Sequence, residues 1–414
     1  MKIGRSKIIG LALASHAMFF WPATLHAQIV APPESAQLEF GPFSLYPSLQ
    51  IVDAGKDQNV FNDGTVSKED YTFTLVSRAL VVTRLGLSRL MFSAGSDYVW
   101  FQKYQSERSR NAVYALRFNF SASRFRPFIG AERLRTRTRP NHEIDLRARR
   151  LERSALGGSD FDLTERIAIS VSARLSDTSF EKGEKFRGTD LSDALGRKGR
   201  QYSGGVRYKV TPLTTFGVGG SYGEDIFPRS HIRDSETYSL APSIEFSQDA
   251  AIRGSFTVGY EVFKPADPEL DQYRGTTAAG SLNWALYNRT VFEVGVNRNV
   301  SYSYQDGEPY YLLTTGSLSV GQPLIGPLSL QGSASYDRLA YRWRRGVAPP
   351  PSASTSGSLA RTDYETVFRG GVGLNLGRGF KVVIAVERST RRSLENSLQN
   401  YRKTRLLSTL TVGS

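Results

Sequence analysis

Hydrophobic and polar side chains alternate along most of the chain. The clearest segment is Arg166–Ser176. Its odd-numbered positions are apolar and its even-numbered positions are mostly small or polar: Ile167, Ile169, Val171, Ala173 and Leu175 against Ala168, Ser170, Ser172, Arg174 and Ser176. A period of two residues is that of a β-strand with one apolar face and one polar face.

About eighteen segments of this kind follow one another. The pattern predicts strands near residues 44–53, 70–84, 88–102, 110–122, 125–138, 147–161, 166–177, 201–210, 214–226, 236–247, 251–263, 274–286, 290–303, 310–320, 327–341, 361–376, 379–390 and 399–412. Most are longer than the five or six residues that are typical of strands in soluble sheets. The length argues against the main alternative, a soluble β-solenoid or propeller.

The connections between these segments alternate in length. Segments such as 161–165 and 377–379 are short, whereas 54–69 and 177–200 are long and polar. When every second connection of an antiparallel meander is short, all short turns lie on one side, as in outer-membrane barrels. The sequence therefore predicts an all-β fold, a single antiparallel transmembrane β-barrel of about 18 strands (16 as the alternative), with short periplasmic turns and long extracellular loops. In such a barrel Ile169 and Val171 face lipid, and Ser170 and Ser172 face the lumen.

Aromatic residues gather at both ends of the predicted strands. One set flanks the short turns: Phe120, Phe125, Phe216, Phe246, Trp284, Phe292 and Phe380. A second set lies toward the opposite ends: Tyr71, Trp100, Tyr114, Tyr202, Tyr222, Tyr238, Tyr260 and Tyr364. Two aromatic girdles are typical of a barrel anchored at both membrane interfaces.

The N-terminal segment is distinct from the rest. Residues 1–27 combine basic residues, an apolar stretch and the small-residue ending Leu25–Ala27, which predicts a signal peptide. We expect residues 28–43 to form a periplasmic N-terminal segment and residues 44–414 to form the barrel. The chain has no cysteine, so an exported protein of this sequence cannot rely on disulfides. No apolar run of 18 or more residues follows Ala27, which argues against a transmembrane helix and leaves the cell outer membrane as the expected location.

Residues suited to catalysis or metal binding are scarce. Beyond residue 27 the only histidines are His142 and His231, both in predicted loops, where solvated side chains are the default. A Ser-His-acid site is conceivable there, but no pattern indicates one. There is no cysteine, no HExxH motif and no paired-histidine spacing. We therefore expect no enzyme activity, no metal site and no cofactor.

Charged residues also fall on the predicted lumen face. About ten basic residues and about nine acids share that phase, which favours a lattice of ion pairs across the lumen, with a selective conduit as the alternative if part of the charge stays unpaired. Arg117, Arg207 and Arg369 lie on separate strands and are the candidate substrate contacts.

The excess of positive charge, +14 in all, lies on the long-loop side. Residues 133–153 contain eight arginines against three acids. Four arginines, Arg133, Arg135, Arg137 and Arg139, share one face and form a candidate extracellular basic face. Pointing outward, they would pair with phosphates of lipopolysaccharide; pointing inward, they would attract an anionic polymer; a solvated loop face is the third interpretation. Because the chain is predicted to be an exported barrel, we expect no nucleic-acid partner.

Three segments resemble a known family. The segments Gly41–Leu49 (GPFSLYPSL), Asp57–Phe61 (DQNVF) and Glu143–Arg153 (EIDLRARRLER) resemble outer-membrane β-barrel porins associated with exopolysaccharide and capsule export. The resemblance implies export of a polysaccharide, with outer-membrane lipid, lipopolysaccharide and periplasmic and inner-membrane export components as partners. The alternative is a passive diffusion porin for small solutes, and a purely structural or adhesive barrel is a third class. The chain ends on Leu410–Ser414 rather than on the aromatic residue usual for such barrels.

Overall fold

The computed structural model describes residues 38–287, 289–347, 359–377, 379–393 and 399–412. The expected signal peptide lies outside the described residues. Within them the strands are, in chain order, β1 (Leu38–Phe40), β2 (Phe43–Asp57), β3 (Asp70–Leu85), β4 (Ser88–Phe101), β5 (Ser109–Phe120), β6 (Phe125–Thr138), β7 (Ala148–Asp162), β8 (Ile167–Phe180), β9 (Lys185–Phe186), β10 (Thr189–Asp190), β11 (Arg197–Thr211), β12 (Thr214–Ile226), β13 (Ser235–Phe246), β14 (Ile252–Pro265), β15 (Tyr273–Leu286), β16 (Thr290–Tyr302), β17 (Tyr310–Pro323), β18 (Leu328–Arg342), β19 (Leu359–Gly377), β20 (Phe380–Ser393) and β21 (Tyr401–Val412).

Eighteen of these strands, β2–β8 and β11–β21, form one closed antiparallel barrel. Each is hydrogen-bonded to the next, and β2 closes the ring by pairing with β21, with Leu49 opposite Val412. Closure leaves no unpaired edge, as a sheet surrounded by lipid requires. The predicted fold and the predicted strand number are confirmed.

The remaining elements are short. Strand β1 extends β2 as a hairpin, while β9, β10 and the single helical turn α1 (Leu191–Ala194) belong to the connection between β8 and β11. Among the described residues no helix is long and apolar enough to cross a membrane.

The connections separate by length onto the two ends of the barrel. Eight connections of two to five residues lie at the end where β2 begins, and nine of seven to sixteen residues lie at the other end. The first end is therefore the periplasmic one and the second the extracellular one, as the sequence pattern predicts.

The outer face of the barrel is apolar. Val171 is 57% exposed, and it shares its face with Ile169 and Leu175, whereas the Ser172 hydroxyl is 2.7 Å from the Ser203 hydroxyl on the inner face. Aromatic side chains stack on the outer face at the extracellular end, where ring centroids of Tyr202 and Tyr222 are 6.4 Å apart. The residues that the sequence pattern assigns to the outer and inner faces of this strand therefore lie on those faces in the structure.

Candidate functional site

One extracellular connection does not stay outside the barrel. Residues 139–147, which join β6 to β7 and which we name the lumen loop, cross to the opposite wall. Asn141 Nδ2 donates a hydrogen bond to the Tyr302 carbonyl on β16 at 3.2 Å, and Arg391 Nη1 on β20 donates to the His142 carbonyl at 2.6 Å. Because β6 and β7 are the fifth and sixth strands of the ring and β16 and β20 the thirteenth and seventeenth, the lumen loop spans the channel.

The lumen loop is anchored by a buried carboxylate. Glu143 is fully buried, and its Oε1 accepts hydrogen bonds from Arg361 Nη2 and from Ser303 Oγ, both at 3.0 Å. Arg361 also lies 3.4 Å from Glu308 and 3.2 Å from Asp363. Burial raises the pKa of Glu143, and the guanidinium of Arg361 works against that rise by favouring the carboxylate.

A second buried arginine holds the same loop. Arg391 Nη2 on β20 donates to Asp363 Oδ2 at 2.7 Å and to Gln399 Oε1 at 2.8 Å. Its Nη1 lies 3.8 Å from Asp145 of the lumen loop. Removing one partner of such a buried ion pair is costly because the other charge stays desolvated. The two arginines therefore fix the lumen loop in one position.

Neighbouring loops complete a packed core around the lumen loop. Ile144 is fully buried against Leu191 and Leu195 of the connection between β8 and β11 and against Tyr304 of the connection between β16 and β17. Arg233, from the connection between β12 and β13, donates through Nε to the Ser303 carbonyl at 2.8 Å. The extracellular half of the barrel is thus narrowed by packed side chains.

The predicted lumen arginines face inward but do not form one cluster. Arg117 Nε donates to Asn119 Oδ1 at 2.9 Å, and its guanidinium lies 4.4 Å from the centre of the Phe128 ring. Arg207 Nη2 donates to Asp160 Oδ1 at 2.6 Å. Arg369 lies opposite Glu387 on the far wall, so the structure separates it from the other two.

The periplasmic half of the lumen carries unpaired positive charge. Near the short turns, within the part of the chain that the structure describes, six basic residues on the lumen face make no ion pair. Two of them, Arg253 on β14 and Lys381 on β20, stand apart, and the other four, Arg84, Arg89, Arg117 and Lys209, lie on one side of the ring, on β3, β4, β5 and β11. They flank two paired arginines, Arg126 with Asp162 and Arg207 with Asp160. We name these four residues the basic arc. The wall therefore contains both arrangements that the sequence left open, ion pairs and unpaired charge.

The candidate extracellular basic face divides into two parts. Arg133 and Arg135 point outward, and the side chain of Arg135 is 72% exposed, 3.6 Å from Glu181. Arg137 and Arg139 are covered instead: Arg137 contacts Glu107 at 3.2 Å, and Arg139 donates to the Asp145 carbonyl at 3.0 Å. The last two arginines hold loops together rather than lining a basic surface.

The two histidines have different surroundings. The side chain of His231 is 74% exposed beside Asp234, as expected of a loop histidine. The side chain of His142 is only 6% exposed and lies 3.5 Å from Asp337, so the expectation of a solvated side chain is wrong for this residue. It is buried because barrel closure brings β18 across the lumen to the loop that carries it. The apolar Ile144 and Leu146, in an otherwise charged loop, were the local sign of burial.

Comparison with solved structures shows the fold. OccK2 (OpdF) of Pseudomonas aeruginosa is 11% identical, with 89% of this chain and 97% of that chain covered and a TM-score of 0.50. OpdK of the same organism is 10% identical, with 90% of this chain and 99% of that chain covered and a TM-score of 0.49. The FrpB iron transporter of Neisseria meningitidis gives 10% identity over 87% of this chain and 66% of that chain, with a TM-score of 0.46. No curated protein matches the sequence.

A match to a family model identifies the family of the chain. It matches residues 32–413, which include all eighteen barrel strands, and its description is "Putative beta-barrel porin 2". The family, the closed barrel and the apolar outer face together place the protein in the outer membrane. The chain belongs to the family described as "Putative beta-barrel porin 2".

Proposed function

We propose that this protein is a diffusion porin for small solutes, with a preference for anions. The observation that carries the proposal is the lumen loop, which spans the channel and is tied to the far wall through Glu143, Arg361 and Arg391. A loop fixed across a wide barrel limits the size of what can pass. An 18-stranded wall without such a loop would leave a broad aqueous opening.

The preference for anions rests on the basic arc. Its four residues lie at the periplasmic end of a lumen with low-dielectric walls, where unpaired charge of one sign raises the local concentration of the opposite sign. Arg117 is the strongest contact candidate, because only one of its donor groups is engaged, by Asn119. Arg207 is held by Asp160, which makes it a weaker candidate. Arg369 lies opposite Glu387, but that carboxylate is bound by Arg405 at 2.5 Å, so Arg369 is a separate candidate on the far wall.

Polysaccharide export, the main expectation from the sequence, has no support in these comparisons. A sugar polymer needs a continuous opening, and the lumen loop would have to leave its buried contacts to provide one. The alternative, a small-solute porin, therefore fits better. The periplasmic and inner-membrane partners were expected only for polysaccharide export, and they stay a prediction of that hypothesis.

Lipopolysaccharide remains our proposed partner for the outer wall, at a different place from the one expected. An apolar groove of about 670 Å³ lies on the outer face, with Gly332 and Gly370 in its lining. Val386, at its edge, is two residues from the outward, exposed Arg388, and Arg402 lies on the same face of the adjacent strand. Acyl chain in the groove and phosphate on the guanidinium groups would be complementary.

The lipid proposal is tested by retention of lipopolysaccharide through purification. Reversing Arg388 and Arg402 to Glu should strip the bound lipid, whereas reversing Arg135 and Arg149, which both contact Glu181, should not. Equal retention by both double variants would refute it.

The porin proposal is tested with the refolded barrel in planar bilayers and liposomes. We expect conductance for small ions, a reversal potential of the anion-selective sign in a salt gradient, and liposome swelling with small but not with polymeric solutes. A barrel that passes no small ions, combined with loss of surface polysaccharide when the gene is deleted, would instead favour export.

A further inference from the structure

The lumen loop brings one histidine and two acids together. His142 meets Asp337 on β18 and Glu365 on β19, which lie opposite each other in the strand register. One nitrogen or oxygen of each residue lies within 4.8 Å of the other two, and His142 Nδ1 is 3.5 Å from Asp337 Oδ2. One imidazole and two carboxylates form a donor set that suits a divalent transition metal such as Zn²⁺.

Two atoms of this group lack partners. His142 Nε2 and Asp337 Oδ1 are buried without a hydrogen bond, although their side chains are only 6% and 8% exposed. A buried polar atom that makes no hydrogen bond carries the full cost of its lost hydration. A cation bound between these side chains would satisfy them.

The charged residues around this group also favour a bound cation. Arg361 and Arg391 contact four carboxylates nearby, but within the described residues neither contacts Asp337 or Glu365. The buried Asp337 and the half-buried Glu365 therefore face His142 without a basic partner at ion-pair distance. The Tyr401 hydroxyl donates to Glu365 Oε1 at 2.7 Å, which orients that carboxylate and leaves its other oxygen available.

We infer that His142, Asp337 and Glu365 form a site for a divalent transition-metal cation that clamps the lumen loop to the far wall. One ligand comes from the loop and two from the barrel, so an occupied site adds a link that only the docked position of the loop can make. Binding would shift the loop toward that position by mass action. The clamp, though not the site itself, rests on the proposed porin function.

The site is tested by titrating Zn²⁺ into the full-length refolded barrel in detergent, by calorimetry. We expect one Zn²⁺ per chain, no comparable binding of Mg²⁺, and loss of binding in His142→Ala and in Asp337→Asn. Tyr401→Phe, which removes only the orienting hydrogen bond, should weaken binding ~10-fold. His231→Ala is the matched control, because His231 also lies beside an acid but at the surface. Unchanged binding in His142→Ala, or loss of binding in His231→Ala, would overturn the site.

The clamp is tested separately in planar bilayers. Micromolar Zn²⁺ should shorten the excursions of the parent channel to a larger conductance, EDTA should restore them, and His142→Ala should be insensitive. Stoichiometric binding without any change in the time spent at the larger conductance would overturn the clamp while leaving the site. A metal-free barrel that never conducts would count against the porin function and not against the calorimetric result. A heat-dependent shift in gel mobility confirms that each variant has folded.

Discussion

Replacement of Arg361 by Met is the sharpest test of how the lumen loop is held. The arginine lies 3.0 Å from Glu143, 3.2 Å from Asp363 and 3.4 Å from Glu308. Met keeps much of the volume but none of the charge, so Glu143 and Glu308 lose their arginine while Asp363 keeps Arg391. Breaking a buried ion pair in this way costs about 3–5 kcal/mol.

That cost falls on the docked position of the loop. With about 1.4 kcal/mol for each factor of ten, the ratio of docked to undocked loops should fall by roughly 100- to 4,000-fold. Single-channel recordings at pH 8 should therefore show longer or more frequent excursions to a larger conductance than the parent. The effect should shrink at pH 5, because protonation removes the unpaired charge of the stranded carboxyl groups.

Two controls separate loop release from general damage. Arg135→Met removes the exposed ion pair with Glu181, for which less than about 1 kcal/mol is expected, and should leave conductance unchanged. In the double variant Glu143→Leu/Arg361→Met the loss of docking free energy should be smaller than the sum of the losses in the two single variants, because the two residues share one contact. If Arg361→Met gives a folded barrel with the parent's frequency of large-conductance excursions at pH 8, the lumen loop is not held by these ion pairs.

Three further outcomes are expected. Val171→Arg, at the centre of the outer apolar band, should cost ~2–4 kcal/mol and reduce assembled barrel, whereas Ser172→Arg on the lumen face should be tolerated; equal yields on a gel would contradict the assigned faces. Burial raises the pKa of Glu308, in the connection between β16 and β17, from 4.5 to about 7, so the docked state carries an extra proton on this carboxyl in that window and the lumen loop should be held more firmly at pH 5 than at pH 8; in Glu308→Gln the frequency of large-conductance excursions should lose this pH dependence, and an unchanged profile would assign it to another group. Arg117→Glu should shift the reversal potential toward cation selectivity while Arg117→Lys should not, and the same potential in both would exclude Arg117 from the selectivity of the channel.

Only part of the candidate site could be predicted from the sequence. The alternation of residues along β18 predicts that Asp337 faces the lumen, and Glu365 lies opposite it in the register. The sequence did not predict that these residues lie beside His142 and Glu143 of the lumen loop. Glu143 and Arg361 are 218 residues apart, and no local pattern records which loop turns inward. The burial of His142 follows from that turn.

The sequence by itself determined the wall of the barrel. Alternation with a period of two is a local property of each strand, so the eighteen strands, the outward Val171 and the inward Ser172 follow from neighbouring residues. Alternating connection lengths determined which end carries the long loops. Only the tertiary structure decided what those loops do, because closing the ring carries β18, β19 and β20 across the lumen from β6 and β7, and the charges on these opposite walls hold the loop only once the ring is closed.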